Sequence, residues 1–283
     1  MTNMIQTRFN SFKGMLQDMY QLDERGIGRP ICQRARQCIA ALVAIVLGAC
    51  SLSSAKQDDV EMRVAIGREM LAKGNAAAAE RILTSVGSDH GATPITGLAL
   101  ADLALARRDL AVAQHHYQAA LDQGEGPAAW IGFGRIALAR NQPGVARDWF
   151  GKALASQPEN ATAANGLAVA HDLDGDHDRA QSIYRDALAK HPAHVDLRSN
   201  LALSLAFRGR TDEATVLLRE LGVARRHDAN LRQNLALVYM MSARPDEARQ
   251  LARHDLPDES VETNIALVRR HWRGRPRPSA RAG

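Results

Sequence analysis

The stretch that decides the fold runs from Pro127 to Pro158 and reads PAAWIGFGRIALARNQPGVARDWFGKALASQP. Counted from Pro127 as position 1, its landmarks fall at positions 4, 8, 20, 24, 27 and 32, which are Trp130, Gly134, Ala146, Phe150, Ala153 and Pro158. Each residue of an α-helix turns by about 100°, so positions 4, 7, 8 and 11 share one face of a first helix. Positions 20, 24 and 27 likewise share one face of a second helix. The stretch therefore predicts two helices that pack through small residues beside one aromatic ring.

The same pattern recurs before and after this stretch. Six units in register begin at Val60, Pro94, Pro127, Ala161, Val195 and Ala229. The outer units keep fewer landmarks, which is typical of the units that cap an array. The alternative is an alanine-rich helical bundle in which small residues recur by chance. Six units in one register favour the repeat.

This spacing resembles the tetratricopeptide repeat, a helix–turn–helix unit of about 34 residues. The resemblance implies an all-α, right-handed superhelical solenoid of about six units over residues 60–255. In such an array each unit packs on its neighbours, and the concave face is an extended binding surface.

Charge is unevenly distributed along the chain. The formal net charge is +5, but residues 1–49 carry six basic and three acidic side chains, and residues 269–283 carry six arginines and no acid. The part between them has 24 basic and 28 acidic side chains. A nucleic-acid-binding protein would carry a basic stripe on its folded body, so no nucleic-acid partner is expected.

The N-terminal 49 residues contain a pattern typical of a secretory signal. Arginines, the last of them Arg36, precede an apolar run over 38–49, which is shorter than the roughly 20 residues of a membrane-spanning helix. The run ends Leu47-Gly48-Ala49-Cys50 and resembles the lipobox of bacterial lipoproteins. The resemblance implies that residues 1–49 are removed, that Cys50 carries lipid, and that residues 50–59 form a flexible tether.

Two features bear on this interpretation. The residue after the cysteine is Ser51, and the resemblance then implies an outer-membrane lipoprotein that faces the periplasm. The 28 residues before the first arginine of the signal depart from the lipoprotein pattern, so the chain either starts internally, with Met19 the nearest candidate, or has a real extension. An uncleaved N-terminal anchor is the alternative.

No arrangement of side chains in the sequence indicates catalysis, a cofactor or a metal. The metalloprotease, nucleophile-elbow and phosphate-loop motifs do not occur. Residues 172–178, DLDGDHD, resemble the start of a calcium loop, but the glycine stands fourth instead of sixth and Ile183 stands where the loop needs glutamate. In the repeat register this stretch is the turn between two helices, where an aspartate can cap the N-terminus of the second helix.

The end of the chain is predicted to close the array. Residues 256–272 have an apolar face and a candidate N-cap at Ser260, which predicts a capping helix. Residues 273–283 are rich in arginine and proline, a composition typical of a disordered, solvated tail.

A lipobox followed by such repeats resembles the pilus-biogenesis lipoproteins, and the closing stretch is similar to that of the TadD family. The similarity lies in 234–239 (NLALVY), 246–249 (DEAR), 255–256 (DL) and 264–269 (NIALVR). TadD proteins are tetratricopeptide lipoproteins of the Flp (tight adherence) pilus and secretion system. The resemblance implies a non-catalytic scaffold for protein partners of that apparatus, possibly its outer-membrane secretin. The alternative is an adaptor for polysaccharide export or outer-membrane protein assembly.

The partner is expected in a groove lined by the first helix of each unit. Positions 2, 5, 6, 9 and 13 of that helix point away from the packing face. The side chains predicted to line the groove are Arg135, Asn165, Val169, Asn200, Leu203, Phe207, Gln233, Asn234, Leu237 and Met241. Amides can donate to and accept from a peptide backbone. In the alternative, the apolar members pack on the next unit and the asparagines face water.

Replacement of Cys50 is the first test. The Cys50→Ser variant lacks the thiol that would carry the lipid, so the protein should be soluble or unprocessed. Each buried CH₂ of an acyl chain contributes about 0.8 kcal/mol to membrane binding, and stable anchoring needs more than one acyl chain. Membrane fractionation and mass spectrometry measure both properties. Wild-type protein that still carries Met1 would contradict the lipid anchor.

Overall fold

The protein is described here by a computed structural model, which covers residues 56–90, 93–224 and 228–272. Its chain divides into two compact units, Met1–Met62 and Arg63–Gly283. Of the first, the described part is residues 56–62, which are helical; the contacts and the site described below belong to the second. Cys50, the predicted signal sequence and the predicted basic tail lie outside the described residues.

Thirteen α-helices account for the described secondary structure, and no strand occurs within it. In chain order they are α1 (56–72), α2 (Ala76–His90), α3 (Pro94–Ala106), α4 (Leu110–Asp122), α5 (Gly126–Ala139), α6 (Pro143–Ser156), α7 (Ala161–Leu173), α8 (His177–Lys190), α9 (Val195–Phe207), α10 (Thr211–Ala224), α11 (Ala229–Met241), α12 (Pro245–Ala252) and α13 (Asp258–Trp272). Each odd-numbered helix up to α11 is the first helix of a unit, and the even-numbered helix after it is the second. The all-α repeat architecture is confirmed.

Successive helices pack on one another, and the first helices of successive units also touch. From α3 to α11, each odd-numbered helix contacts the next odd-numbered helix. This arrangement places the first helices side by side on one face. Hereafter, the groove face is the surface formed by the helices α1, α3, α5, α7, α9 and α11.

The register of the helix pairs is set by alanine at position 20 of every unit. All six of these alanines have no exposed surface: Ala79, Ala113, Ala146, Ala180, Ala214 and Ala248. Position 24, one turn later, holds a large buried side chain in the first five units: Leu83, Tyr117, Phe150, Tyr184 and Leu218. A small residue that admits the neighbouring backbone is thus followed by a large one that fills the remaining space.

Glycines of the first helices make room for these large side chains. A Cβ atom added to Gly134 would lie 2.7 Å from the Phe150 ring, and one added to Gly166 of the next unit would lie 2.3 Å from it. A Cβ atom added to Gly132 would lie 2.3 Å from the Tyr117 ring. The predicted approach of Gly134 to Phe150 is confirmed, and the same ring also joins its unit to the next.

The turn between the two helices of each unit has the same backbone conformation at position 15. Glycine occupies it with φ of 77° at Gly74, 81° at Gly175 and 81° at Gly209. The other three units have Arg108, Asn141 and Ala243 there, with φ between 55° and 63°. Non-glycine residues adopt this left-handed conformation at a cost of about 1 to 2 kcal/mol, so packing imposes the turn on those three units.

The two ends of the array differ from the predicted boundaries. Residues 56–59, assigned to the flexible tether, belong to α1. The capping helix α13 begins at Asp258, so Ser260 lies within its first turn and the predicted N-cap is wrong. The second helix of the sixth unit ends at Ala252, and Val261 and Ile265 of α13 pack in one cluster with Ala252 and Ala236.

No helix among the described residues has both the length and the apolar character needed to cross a bilayer.

A methyl group at Gly166 tests the close approach. Gly166→Ala should lower the free energy of unfolding by about 1 to 3 kcal/mol, because Phe150 is 1% exposed and its ring has no space to move into. Gly151→Ala is the matched control in α6, since no atom lies within 4 Å of an added Cβ atom there. The control should be neutral or gain up to about 1 kcal/mol from helix propensity. Equal denaturation midpoints for the two variants would contradict the packing described.

Candidate functional site

A cavity of about 370 Å³ opens on the groove face between the fourth and fifth units. We call it the groove pocket. The helices α7, α8 and α9 and the turn between the first two line it, and the lining residues are Val169, Asp172, Leu173, Gly175, His177, Tyr184, Asn200, Leu203 and Phe207. Phe207, Val169, Asn200 and Leu203 were among the groove residues predicted from the sequence.

The mouth of the groove pocket is apolar and open to solvent. Leu173 is 52% exposed and Phe207 is 36% exposed. Val169 and Leu203 are half-buried and pack against the core beneath. The Phe207 ring stacks on the imidazole of His177, with 5.7 Å between ring centroids and 15° between planes. An apolar side chain entering here would cover surface that the repeats leave exposed, which is favourable.

The floor of the groove pocket is a carboxylate held by three donors. The hydroxyl of Ser204 donates to Asp172 Oδ1 at 2.6 Å, His177 Nδ1 lies 2.8 Å from the same oxygen, and the hydroxyl of Tyr184 donates to Oδ2 at 3.2 Å. Burial, and then the charge of Asp172, raise the pKa of the Tyr184 hydroxyl. The hydroxyl therefore stays protonated and donates across the neutral range. The network orients Asp172 and joins α7 to α8 and α9.

A second tyrosine–aspartate pair lies in the second unit, with its aspartate on the groove face. The hydroxyl of Tyr117 donates to Asp102 Oδ1 at 2.7 Å. Arg135 Nη1 donates to the same oxygen at 2.5 Å, and Arg68 Nε lies 3.9 Å from Oδ2. We call Arg68, Asp102 and Arg135 the charged cluster. The predicted groove residue Arg135 is exposed and belongs to it.

The predicted asparagines are bonded between units instead of facing water. Asn200 Nδ2 donates to Asn165 Oδ1 at 2.9 Å, and Asn234 Nδ2 donates to Ser199 Oγ at 2.9 Å. In both pairs, position 5 of one unit accepts from position 6 of the next. The second N–H and the Oδ1 of each donor take no part in this bond and retain the capacity to meet a peptide backbone. Loss of either donor should by itself cost about 1 kcal/mol of stability.

The remaining predicted residues of the sixth unit have different positions. Gln233 is exposed on α11. Leu237 is half-buried and packs against the core. Met241 is 7% exposed within the core cluster, so its assignment to the groove is wrong. Position 13 ends the first helix in both units, and there Met241 packs in the core whereas Phe207 is 36% exposed and stacks on His177.

The acidic stretch 172–178 is the turn between α7 and α8, as predicted. Asp176 caps α8 by accepting from the backbone N–H of Arg179. Asp174 pairs with Arg147 and Asp178 pairs with Arg208. Within the described part of the chain, no group of three or more histidine, cysteine or acidic side chains is arranged to hold a metal ion.

Sequence reasoning missed Asp172, Asp102, Arg68 and Ser204. One signal was present, since the second and fourth units have tyrosine at position 24, where the first, third and fifth units have leucine or phenylalanine and the sixth has alanine. A buried tyrosine hydroxyl needs a hydrogen-bond partner, which predicts a polar side chain on a facing helix. The two partners occupy different positions, 12 for Asp172 and 9 for Asp102. The signal therefore indicates that a partner exists without locating it.

Comparison with known families agrees with this geometry. Two family models described as tetratricopeptide repeats match the chain, one over residues 173–231 and the other over 98–158 and 131–180. No curated protein sequence matches it significantly.

Solved structures share the fold at low sequence identity. A tetratricopeptide repeat protein from Parabacteroides merdae is 16% identical with a TM-score of 0.57, over 74% of this chain and 83% of its own. TTC0263 of Thermus thermophilus, a thermophilic protein of the same repeat class, is 21% identical with a TM-score of 0.55, over 62% and 98%. PilW, described as a widely conserved type IV pilus biogenesis factor, is 14% identical with a TM-score of 0.54, over 74% and 97%.

Two aspartates of one turn test the network beneath the groove pocket. Asp172→Ala should lower the free energy of unfolding by about 1 to 3 kcal/mol, because it leaves the buried Ser204 hydroxyl without its acceptor. Asp178→Ala removes a carboxylate that is 74% exposed and pairs with Arg208, and should cost less than about 1 kcal/mol. Equal losses in thermal denaturation would show that the network does not hold the units together.

Proposed function

Because the chain is a tetratricopeptide-repeat protein, we propose that it is a non-catalytic scaffold that binds a partner protein of a pilus or secretion apparatus. The observation that carries the proposal is the groove pocket. Its apolar mouth stays exposed although the helices around it are packed, with Leu173 52% exposed. Asn200 beside it retains a donor and an acceptor for a peptide backbone.

The proposed setting is the periplasmic face of the outer membrane, where the protein is anchored through Cys50. The support comes from the sequence: the Leu-Gly-Ala-Cys stretch at residues 47–50 resembles a lipobox, and Ser51 follows it. An anchored array would hold its partner close to the membrane. Such confinement raises the effective concentration of the partner at an assembly site.

The proposed apparatus is the Flp pilus, with its outer-membrane secretin as the candidate partner. The closing stretch, which includes 234–239 and 264–269, resembles the TadD family. The similarity to PilW, described as a type IV pilus biogenesis factor, agrees with a pilus role at the level of the fold.

Pilus production in the native organism tests the proposal. A deletion strain should lose surface Flp pili, and wild-type protein should restore them. The Leu173→Gln variant should restore less than about a tenth of the pilin that can be sheared from cells carrying the wild-type protein. The reason is that a polar side chain at the pocket mouth removes apolar area from the contact. Val216→Gln on α10 is the matched control, since Val216 is 56% exposed and lies on a second helix. It should restore pili fully.

The amount and melting temperature of both variants are measured alongside. Normal pili in the deletion strain would refute the pilus role, and full activity of Leu173→Gln would refute the pocket as the binding site.

A further inference from the structure

The groove face changes character along the array at one repeat position. Position 9 of the six units is occupied in order by Arg68, Asp102, Arg135, Val169, Leu203 and Leu237. The first three units thus present charge and the last three present aliphatic side chains. The charged cluster and the groove pocket lie on opposite sides of the boundary between the third and fourth units.

The charged cluster carries an excess of positive charge. Two guanidinium groups share the one carboxylate of Asp102, at 2.5 Å from Arg135 and 3.9 Å from Arg68. Glu69, which follows Arg68 on α1, pairs at 2.6 Å with Lys73 in the turn after that helix, so these two charges neutralise each other. The side chains of Arg68 and Arg135 are 42% and 44% exposed, and that of Asp102 is 23% exposed. Guanidinium groups left partly uncompensated at a surface attract anionic groups.

Asp102 is the positioning residue of the cluster. It is held from beneath by the hydroxyl of Tyr117, which donates at 2.7 Å to Oδ1, the oxygen that also accepts from Arg135, while Oδ2 lies 3.9 Å from Arg68. Arg135 is therefore fixed, and Arg68 at 3.9 Å is free to turn toward a ligand without losing a short bond. Such an arrangement offers a second carboxylate one fixed and one adjustable guanidinium partner.

We propose that the partner contributes one extended segment that has an acidic side chain for the charged cluster and a large apolar side chain for the groove pocket. The inference rests on the proposed function and specifies the chemistry of its partner. Charge complementarity selects the acidic end, and the exposed Leu173 and Phe207 select the apolar end. Asn200, which is bonded to Asn165, lines the pocket at the apolar end of this path.

The geometry also limits the spacing of the two side chains. Packed helices lie about 8 to 10 Å apart, so the pocket between α7 and α9 is about 14 Å from Arg135 and about 23 Å from Asp102. An extended chain advances about 3.4 Å per residue. The acidic and apolar residues should therefore be separated by about four to seven residues.

Selection from a random twelve-residue peptide library tests the inference. The full chain, purified from membranes in detergent, is the bait. Retained peptides should share an acidic residue four to seven positions from a leucine, isoleucine or phenylalanine. Their affinity, measured by fluorescence anisotropy, should fall as salt rises, because exposed charges are screened.

A charge reversal at the charged cluster distinguishes a specific contact with the peptide's acidic residue from general electrostatic attraction. Arg135→Glu should lower the affinity for the selected peptide about tenfold. When this variant is the bait, the retained peptides should have lysine or arginine in place of the acidic residue. Arg140→Glu is the matched control, because Arg140 is an exposed arginine at the end of the same helix with a single hydrogen bond to Gln114. The affinity of Arg140→Glu for the selected peptide should stay within about twofold of that of the wild-type protein.

Each other result counts against the inference. If the retained peptides need Leu173 for binding but share no acidic residue, the inference of a segment with an acidic and an apolar side chain is wrong, and the proposed function still stands. Failure to retain any peptide would overturn both. Binding of phosphatidylglycerol vesicles that is lost in Arg135→Glu, without peptide binding, would assign the cluster to a lipid surface and overturn the inference.

Discussion

The ring of Phe150 lies between two glycines, Gly134 of its own unit and Gly166 of the next, and the array depends on that contact. A Cβ atom on either glycine would come within 2.7 Å of the ring. The first contact sets the spacing of the two helices in a unit, and the second sets the spacing of successive units. Tyr117 and Gly132 repeat the second contact one unit earlier. Close packing of large on small residues therefore propagates one geometry along the chain.

This packing determines which side chains remain available for binding. Contacts within and between units occupy positions 8, 20 and 24: positions 8 and 20 hold only glycine or alanine, and position 24 holds a large side chain in the first five units. Position 9 of each first helix faces the groove, and there the units differ most, from Arg68 through Arg135 to Leu203 and Leu237. The scaffold is thus uniform where it packs and individual where a partner would meet it. Specificity in such an array comes from the order of the units.

The two tyrosines connect these roles. Tyr117 and Tyr184 occupy the packing position of Phe150, but each sends its hydroxyl to an aspartate on the groove face, Asp102 and Asp172 respectively. A buried ring and an oriented carboxylate are therefore parts of one side-chain network. Hydrogen bonds within the chain thus hold both carboxylates, and such preorganisation lowers the cost of ordering on binding.

Much of the fold could be predicted from the sequence because small and large residues at fixed spacing permit few packings. The spacing of Gly134 and Phe150 predicted the helix–turn–helix unit, and the repetition of that spacing predicted the array. The asparagine pairs could not be predicted, because Asn200 meets Asn165 through the angle between successive units, which spacing within one unit does not contain. The burial of Met241 and the left-handed turn at Ala243 likewise result from tertiary packing.

The central claim is that the partner lies on the groove face, and cross-linking in living cells measures this directly. A photoreactive phenylalanine analogue placed at Phe207 lies at the mouth of the groove pocket, and the same analogue at Val216 lies on a second helix. The account predicts cross-links from position 207 to a protein of the pilus apparatus, identified by mass spectrometry, and none from position 216. Cross-links from position 216 alone would contradict it.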